Sequence, residues 1–136
     1  MANTVASQTI LDGNRTAIQK FTFLCDGSGD ESAVLKVDVS TLLPNEFGKA
    51  CNGVTILKIY GSTHGLSVEI LWDATADLFC TGIPTDTFYY MDFSSFGGLP
   101  NNAGAGKTGD IRFTTLDADA GDFYSITLDM IKSYAS

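Results

Sequence analysis

VTILKIYGSTHGLSVEILWD, residues 54–73, holds two apolar runs of strand length separated by Gly61-Ser62-Thr63-His64-Gly65. In the second run Leu66, Val68, Ile70 and Trp72 alternate with Ser67, Glu69 and Leu71. That period of two marks a strand with one buried face. The first run is apolar on both sides, with Val54, Ile56 and Tyr60 on one and Leu57 and Ile59 on the other. Such a run is expected of a central strand covered on both faces, or of one that meets a partner subunit. A loop bounded by glycine between two such runs predicts a hairpin at the middle of an antiparallel β core, with Trp72 as its largest side chain.

The same alternation spreads outward. Gln19, Phe21, Phe23 and Cys25 share one face of a strand, and Asp26-Gly27-Ser28-Gly29-Asp30 turns the chain. Ala33, Leu35, Val37 and Val39 then predict a return strand and a second hairpin. Pro84 stops a short run over residues 78–83, and TFYYMDF (residues 87–93) sets Phe88 and Tyr90 opposite Tyr89, Met91 and Phe93. Residues 110–116 and 122–134 complete the pattern, with Tyr124, Ile126, Leu128 and Met130 on one face. No window carries a useful 3.6-residue period. The expected fold is all-β: an antiparallel, jelly-roll-like β-sandwich of about eight strands. Residues 1–14 read as an N-terminal arm and 15–136 as a single β-sandwich domain.

At 136 residues the chain can bury a core without disulfides or metal. Sixteen acidic against eight basic residues leave a net charge of −8. A surface of that sign repels phosphate backbones, so no nucleic-acid partner is expected. Cys25, Cys51 and Cys80 are an odd set without CxxC spacing and suit reduced thiols in a reducing cytosol. The opening MANTVASQTIL has neither a basic n-region nor a continuous apolar h-region, and no run is long enough for a membrane helix. Neither a signal peptide nor a membrane partner is expected.

The motifs that carry chemistry fail one by one. Ala103-Gly104-Ala105-Gly106-Lys107-Thr108 imitates a phosphate loop, but Asn101 stands where the first glycine is needed and a strand follows in place of a helix. Asp26 to Glu31 and Asp117 to Asp122 imitate fragments of calcium loops. Their Asp and Gly residues are equally the makings of turns, and Val37 occupies the position of the closing carboxylate in the first. His64 is the sole histidine, so a triad or a metal cluster would rest on one imidazole. Among the cysteines only Cys51, two residues after Lys49, has a basic neighbour. No catalytic residue, metal or cofactor is assigned. Phe88, Tyr89, Tyr90 and Trp72 are the candidates for stacking on a sugar, although alternation assigns most of them to the core.

What remains is surface. Phe96 and Leu99 lie in a Gly-rich stretch, residues 94–109, that cannot bury them within itself, and Val5, Ile10 and Leu11 stand likewise in the arm. MANTVASQTILDGNRTAIQKFTFLCDGSGDESAVLKVDVS and the later GLPNNAGAGKTGDIRFTT resemble the small decoration, or cement, proteins of tailed bacteriophages. The resemblance runs along nearly the whole chain and rests on general sequence character. It implies a non-enzymatic subunit on the exterior of a phage head, assembled in the host bacterial cytoplasm, and a homodimer or homotrimer that bridges copies of the major capsid protein. It also implies that the arm and the loop carrying Asn101, Asn102 and Lys107 are contact elements. Another virion component, a tail or fibre adaptor, is the nearest alternative, and a carbohydrate-binding β-sandwich is a further one.

Overall fold

The structure, a computed structural model, describes residues 3–134; residues 1, 2, 135 and 136 of the expected arm and domain lie outside the described residues. It contains nine strands: β1 (Thr4–Asp12), β2 (Thr16–Leu24), β3 (Val34–Val37), β4 (Cys51–His64), β5 (Ser67–Trp72), β6 (Leu78–Ile83), β7 (Phe88–Asp92), β8 (Ile111–Leu116) and β9 (Phe123–Tyr134). They form two antiparallel sheets, in the orders β1-β2-β9-β4-β7 and β3-β8-β5-β6. The fold is an all-β sandwich.

The pairs β5–β6, β4–β7, β3–β8 and β2–β9 are nested around the turn after Trp72. A long antiparallel ribbon is thus folded over on itself, and the contacts β4–β9 and β5–β8 close the two sheets. This is the strand order of a jelly roll, with β1 added at one edge. Both expected hairpins are corrected by it. β4 and β5 lie in different sheets, as do β2 and β3. The strand pattern at residues 54–73 is right, but the break at its centre is a crossing between layers. β4 runs on through Gly61, Thr63 and His64, and the chain turns only at Gly65. Gly65 has φ of +75°, and a Cβ there would collide with the Asp122 carboxylate, so the crossing requires glycine.

The two-sided apolar character of β4 has a local cause. Ile56 faces Met130 and Lys58 faces Asp129, so Leu57 is an extra residue against β9. The bulge inverts the alternation. Val54 and Ile56 point inward before it; Ile59, Gly61 and Thr63 point inward after it, which turns Tyr60 out. Neither a second covering layer nor a partner is needed to explain the pattern. Between the sheets Phe21, Phe23, Trp72, Phe113, Ile126 and Leu128 form a continuous core, and Trp72 is 2% exposed.

The expected arm is a strand. β1 pairs antiparallel with β2 from Thr4 opposite Leu24 to Asp12 opposite Ala17, yet Thr4 through Leu11 remain exposed. Its inner end is clamped. Lys132 is buried and its ammonium donates to Asp12 Oδ1 at 2.6 Å, Gly13 O at 2.9 Å and Leu43 O at 2.8 Å.

Candidate functional site

Two surfaces and one cleft hold the residues singled out by the sequence. Val5, Ile10 and Leu11 sit on β1 at one edge of the five-stranded sheet, about half exposed each. The loop after β7 lies at the opposite edge. Ile56 and Leu99 exchange backbone hydrogen bonds of 3.2 and 2.8 Å on the side of β4 away from β9. Leu99 packs against the core, while Phe96 is 66% exposed and Asn102 is exposed. The eight residues therefore form two groups separated by β2, β9 and β4.

Asn101 and Lys107 do come together. With Asn52, Thr55, Thr108 and Ser133 they line a half-open cleft of about 460 Å³. The loop is held there by Gly109, whose φ of +90° and close approach to the Asn52 carbonyl exclude a side chain. Its far end is stitched by Asp73, which accepts from Arg112 Nε at 2.7 Å and from Thr108 Oγ1 at 2.7 Å. These bonds hold the Asp73 carboxyl below its ordinary pKa, the Arg112 bond most of all. Asp110, partly buried, is raised, chiefly by desolvation. Asn101 Oδ1 accepts from the Ala103 amide at 3.0 Å, which fixes the orientation of the amide. No aromatic ring and no nucleophile with an adjacent base lines the wall. The phosphate-loop imitation is a turn in which the Lys107 amide donates to Gly104 O, and β8 follows it.

The other constellations are occupied by structural bonds. Asp26 accepts from the Ser28 amide and caps its own loop, while Asp30 accepts from Thr115 Oγ1 and the Ala118 amide and so ties the first loop to the turn after β8. Among the described residues no group of three or more His, Cys, Asp or Glu side chains is placed to hold a metal. Glu31 is buried; its two oxygens accept from Tyr124 Oη at 2.7 Å and Lys36 Nζ at 2.6 Å. Burial, then the Glu31 charge, pushes the Tyr124 phenol up, so it serves as a donor and not as a base. Cys25 and Cys51 are buried, and burial pushes the Cys80 thiol up to about 12. A thiol so placed stays protonated and is a poor nucleophile. His64 is exposed at the end of β4, with Asp86 Oδ1 3.7 Å from Nδ1.

The feature missed in the sequence is a cluster of rings on the outer face of the five-stranded sheet. Directly paired residues share a face. Phe88 lies opposite Ser62 and Tyr90 opposite Tyr60, while His64 lies opposite Phe123. Phe88 is 87% exposed, and Tyr90, Phe123 and Tyr60 are each exposed by two fifths or more. Tyr60 and Tyr90 meet at 5.0 Å between centroids, and His64 stacks on Phe123 at 5.4 Å. The alternation in residues 87–93 separates Phe88 and Tyr90 from Tyr89 and Phe93. Which set faces the core depends on the second sheet. Of the sugar-stacking candidates, Trp72 belongs to the core and Tyr89 packs against it.

No protein-family model matches this chain, and no curated protein matches it. Among the described residues no helix is long and apolar enough to cross a membrane.

Proposed function

We propose that this chain is a non-enzymatic capsid decoration, or cement, protein that binds the outside of a tailed-phage head and stabilises contacts between major capsid protein subunits. The observation that carries this reading is the ring cluster Phe88, Tyr90, Tyr60, His64 and Phe123 on an open sheet face. Large exposed rings on an acidic protein invite a protein surface, because aromatic side chains dominate the desolvated centres of such contacts. The cleft beside Lys107 has no general acid or base paired with a nucleophile, which supports a binding role over a catalytic one. Each bridge need contribute only a few kcal/mol, since many copies act on one shell. In this reading the subunit also meets copies of itself, and its site of action is the exterior of the virion head.

The test uses the heads of the virus that encodes the chain, stripped of it. The purified protein is expected to co-sediment with expanded heads to a saturating, fixed ratio to the major capsid protein, and to raise their resistance to heat. Failure to bind heads refutes the proposal, and binding to tails alone moves the protein to an adaptor role. The exposed Phe88 ring gives the carbohydrate reading its one observation. Against it, Tyr60 and Tyr90 turn ring faces on each other, as do His64 and Phe123, which leaves less face for a sugar. Saturable retention on a glycan array, lost in Phe88→Ala, would establish that reading instead.

A further inference from the structure

Among the described residues the sandwich has four strand edges without a ladder partner, those of β1, β7, β3 and β6. A free edge exposes unpaired amides and carbonyls, and folded proteins blunt such edges with charge, proline, bulges or short length. Three of the four are blunted. β3 is four residues long, contains Lys36 and shifts register after Leu35. β6 shifts register against β5 between Phe79 and Thr81, which leaves no long even run. β7 is five residues long and ends in Asp92. β1 differs. From Thr4 to Thr9 its register is unbroken, and TVASQTIL, residues 4–11, contains neither a charged residue nor proline.

We propose that the edge of β1 is the interface of a two-fold symmetric homodimer in which β1 pairs antiparallel with β1 of a second copy. The inference deepens the reading of the chain as a self-associating subunit and rests on it for that alone. Three observations select a second copy as the occupant. First, the sheet alternates in direction from β1 to β7, so β1 and β7 run the same way. Head-to-tail addition in one sheet would give a parallel pair and an open chain, whereas a two-fold axis normal to the sheet gives an antiparallel pair and closes. Second, each chain has a net charge of −8, so two copies meet most easily where neither has acidic side chains, as along residues 4–11. Third, Val5, half exposed, faces inward opposite Phe23 and shares a groove with Val34 and Leu35 of β3, both more than a third exposed. A second copy across β1 brings its own Val5, Val34 and Leu35 to the same place and covers both grooves.

Register follows from the pleat. Directly opposed residues must share a face, so the axis passes beside a residue and not between two. Within Thr4–Thr9 that residue is Ala6, opposite its own copy, or Ser7 opposite its own. The product is one continuous ten-stranded sheet, with both ring clusters on the same outer face.

The test is the solution mass of the full chain by light scattering over a concentration series. The expected mass is twice 14.5 kDa. The double variant Ala6→Lys and Ser7→Lys places like charges across the axis in either register. Both side chains are exposed, so the monomer should keep its melting temperature while the dimer dissociation constant rises more than about tenfold. A wild-type chain that stays at 14.5 kDa, forms a trimer or an open polymer, or stays dimeric in the variant overturns the inference. Should the variant unfold, hydrogen exchange on the wild type decides. Protection at β1 that increases with protein concentration supports the interface, and concentration-independent exchange there overturns it. A monomer that still decorates heads removes this inference alone. A dimer that ignores heads removes the decoration function alone.

Discussion

Replacing Lys132 by Met keeps the length and packing of the buried stem and deletes only its charge and hydrogen bonds. The side chain is fully buried, and all three ammonium protons are used, on Asp12 Oδ1, Gly13 O and Leu43 O. Desolvation, the largest single influence, opposes the charge, but the Asp12 carboxylate and Tyr134 together more than offset it, and the pKa lies above the ordinary lysine value. Removing one member of a buried pair costs about 3–5 kcal/mol, because the other charge stays behind. Here Asp12 keeps a 2.9 Å bond from the Leu43 amide and is 14% exposed, so water can reach it. That places the expected loss at the lower end, about 3 kcal/mol. With a urea m-value of about 2 kcal/mol/M the unfolding midpoint should fall by about 1.5 M. Adding Asp12→Asn to Lys132→Met should cost less than the sum of the single losses, with a coupling of at least about 1 kcal/mol. A midpoint shift below about 0.25 M, or simple additivity, would show that the clamp does not hold β1 and the loop at Leu43 to β9.

Three further outcomes are expected. Trp72→Ala should cost roughly 3–5 kcal/mol in the same urea titration, and a loss under about 1 kcal/mol would remove Trp72 from the centre of the core. Phe88→Ser with Tyr90→Ser should cost no more than about 1.5 kcal/mol, chiefly through the lost Tyr60–Tyr90 contact, while weakening co-sedimentation with heads; unchanged binding would exclude the ring cluster as the contact. Asp73 has a folded pKa below its unfolded value, so its stabilisation is complete above the unfolded value of about 3.9 and is lost as pH falls through the folded one. Asp73→Asn should therefore lower stability at neutral pH and make it less steeply dependent on acid below about pH 4; parallel wild-type and variant curves would contradict the Asp73–Arg112 bond.

Much of the fold was legible because strand alternation is a local property. Ala17, Gln19, Phe21, Phe23 and Cys25 are all buried, as are Tyr124, Ile126, Leu128 and Met130, in keeping with their spacing. Pairing was not legible. Apart from β1 and β2, consecutive strands here are partners only at the tip of the ribbon, so the nearest apolar run is usually in the other sheet. The bulge at Leu57 also imitates a two-faced strand, since one extra residue inverts the alternation without any mark in composition. The arm looked separate because its residues are polar or isolated, yet an edge strand is held by backbone hydrogen bonds that require no apolar face.

By itself the sequence determined the class: a β-rich chain with turn residues at short intervals, enough apolar surface for one core, and a net charge of −8. Tertiary structure decided which rings face out. Phe88 and Phe93 stand on opposite sides of one alternating run, and Phe93 is buried in the core while Phe88 is open to solvent. It also decided that Asp12 meets Lys132 and Glu31 meets Tyr124, contacts spanning 120 and 93 residues. Burial is a relation between two surfaces, and a single strand carries only one of them.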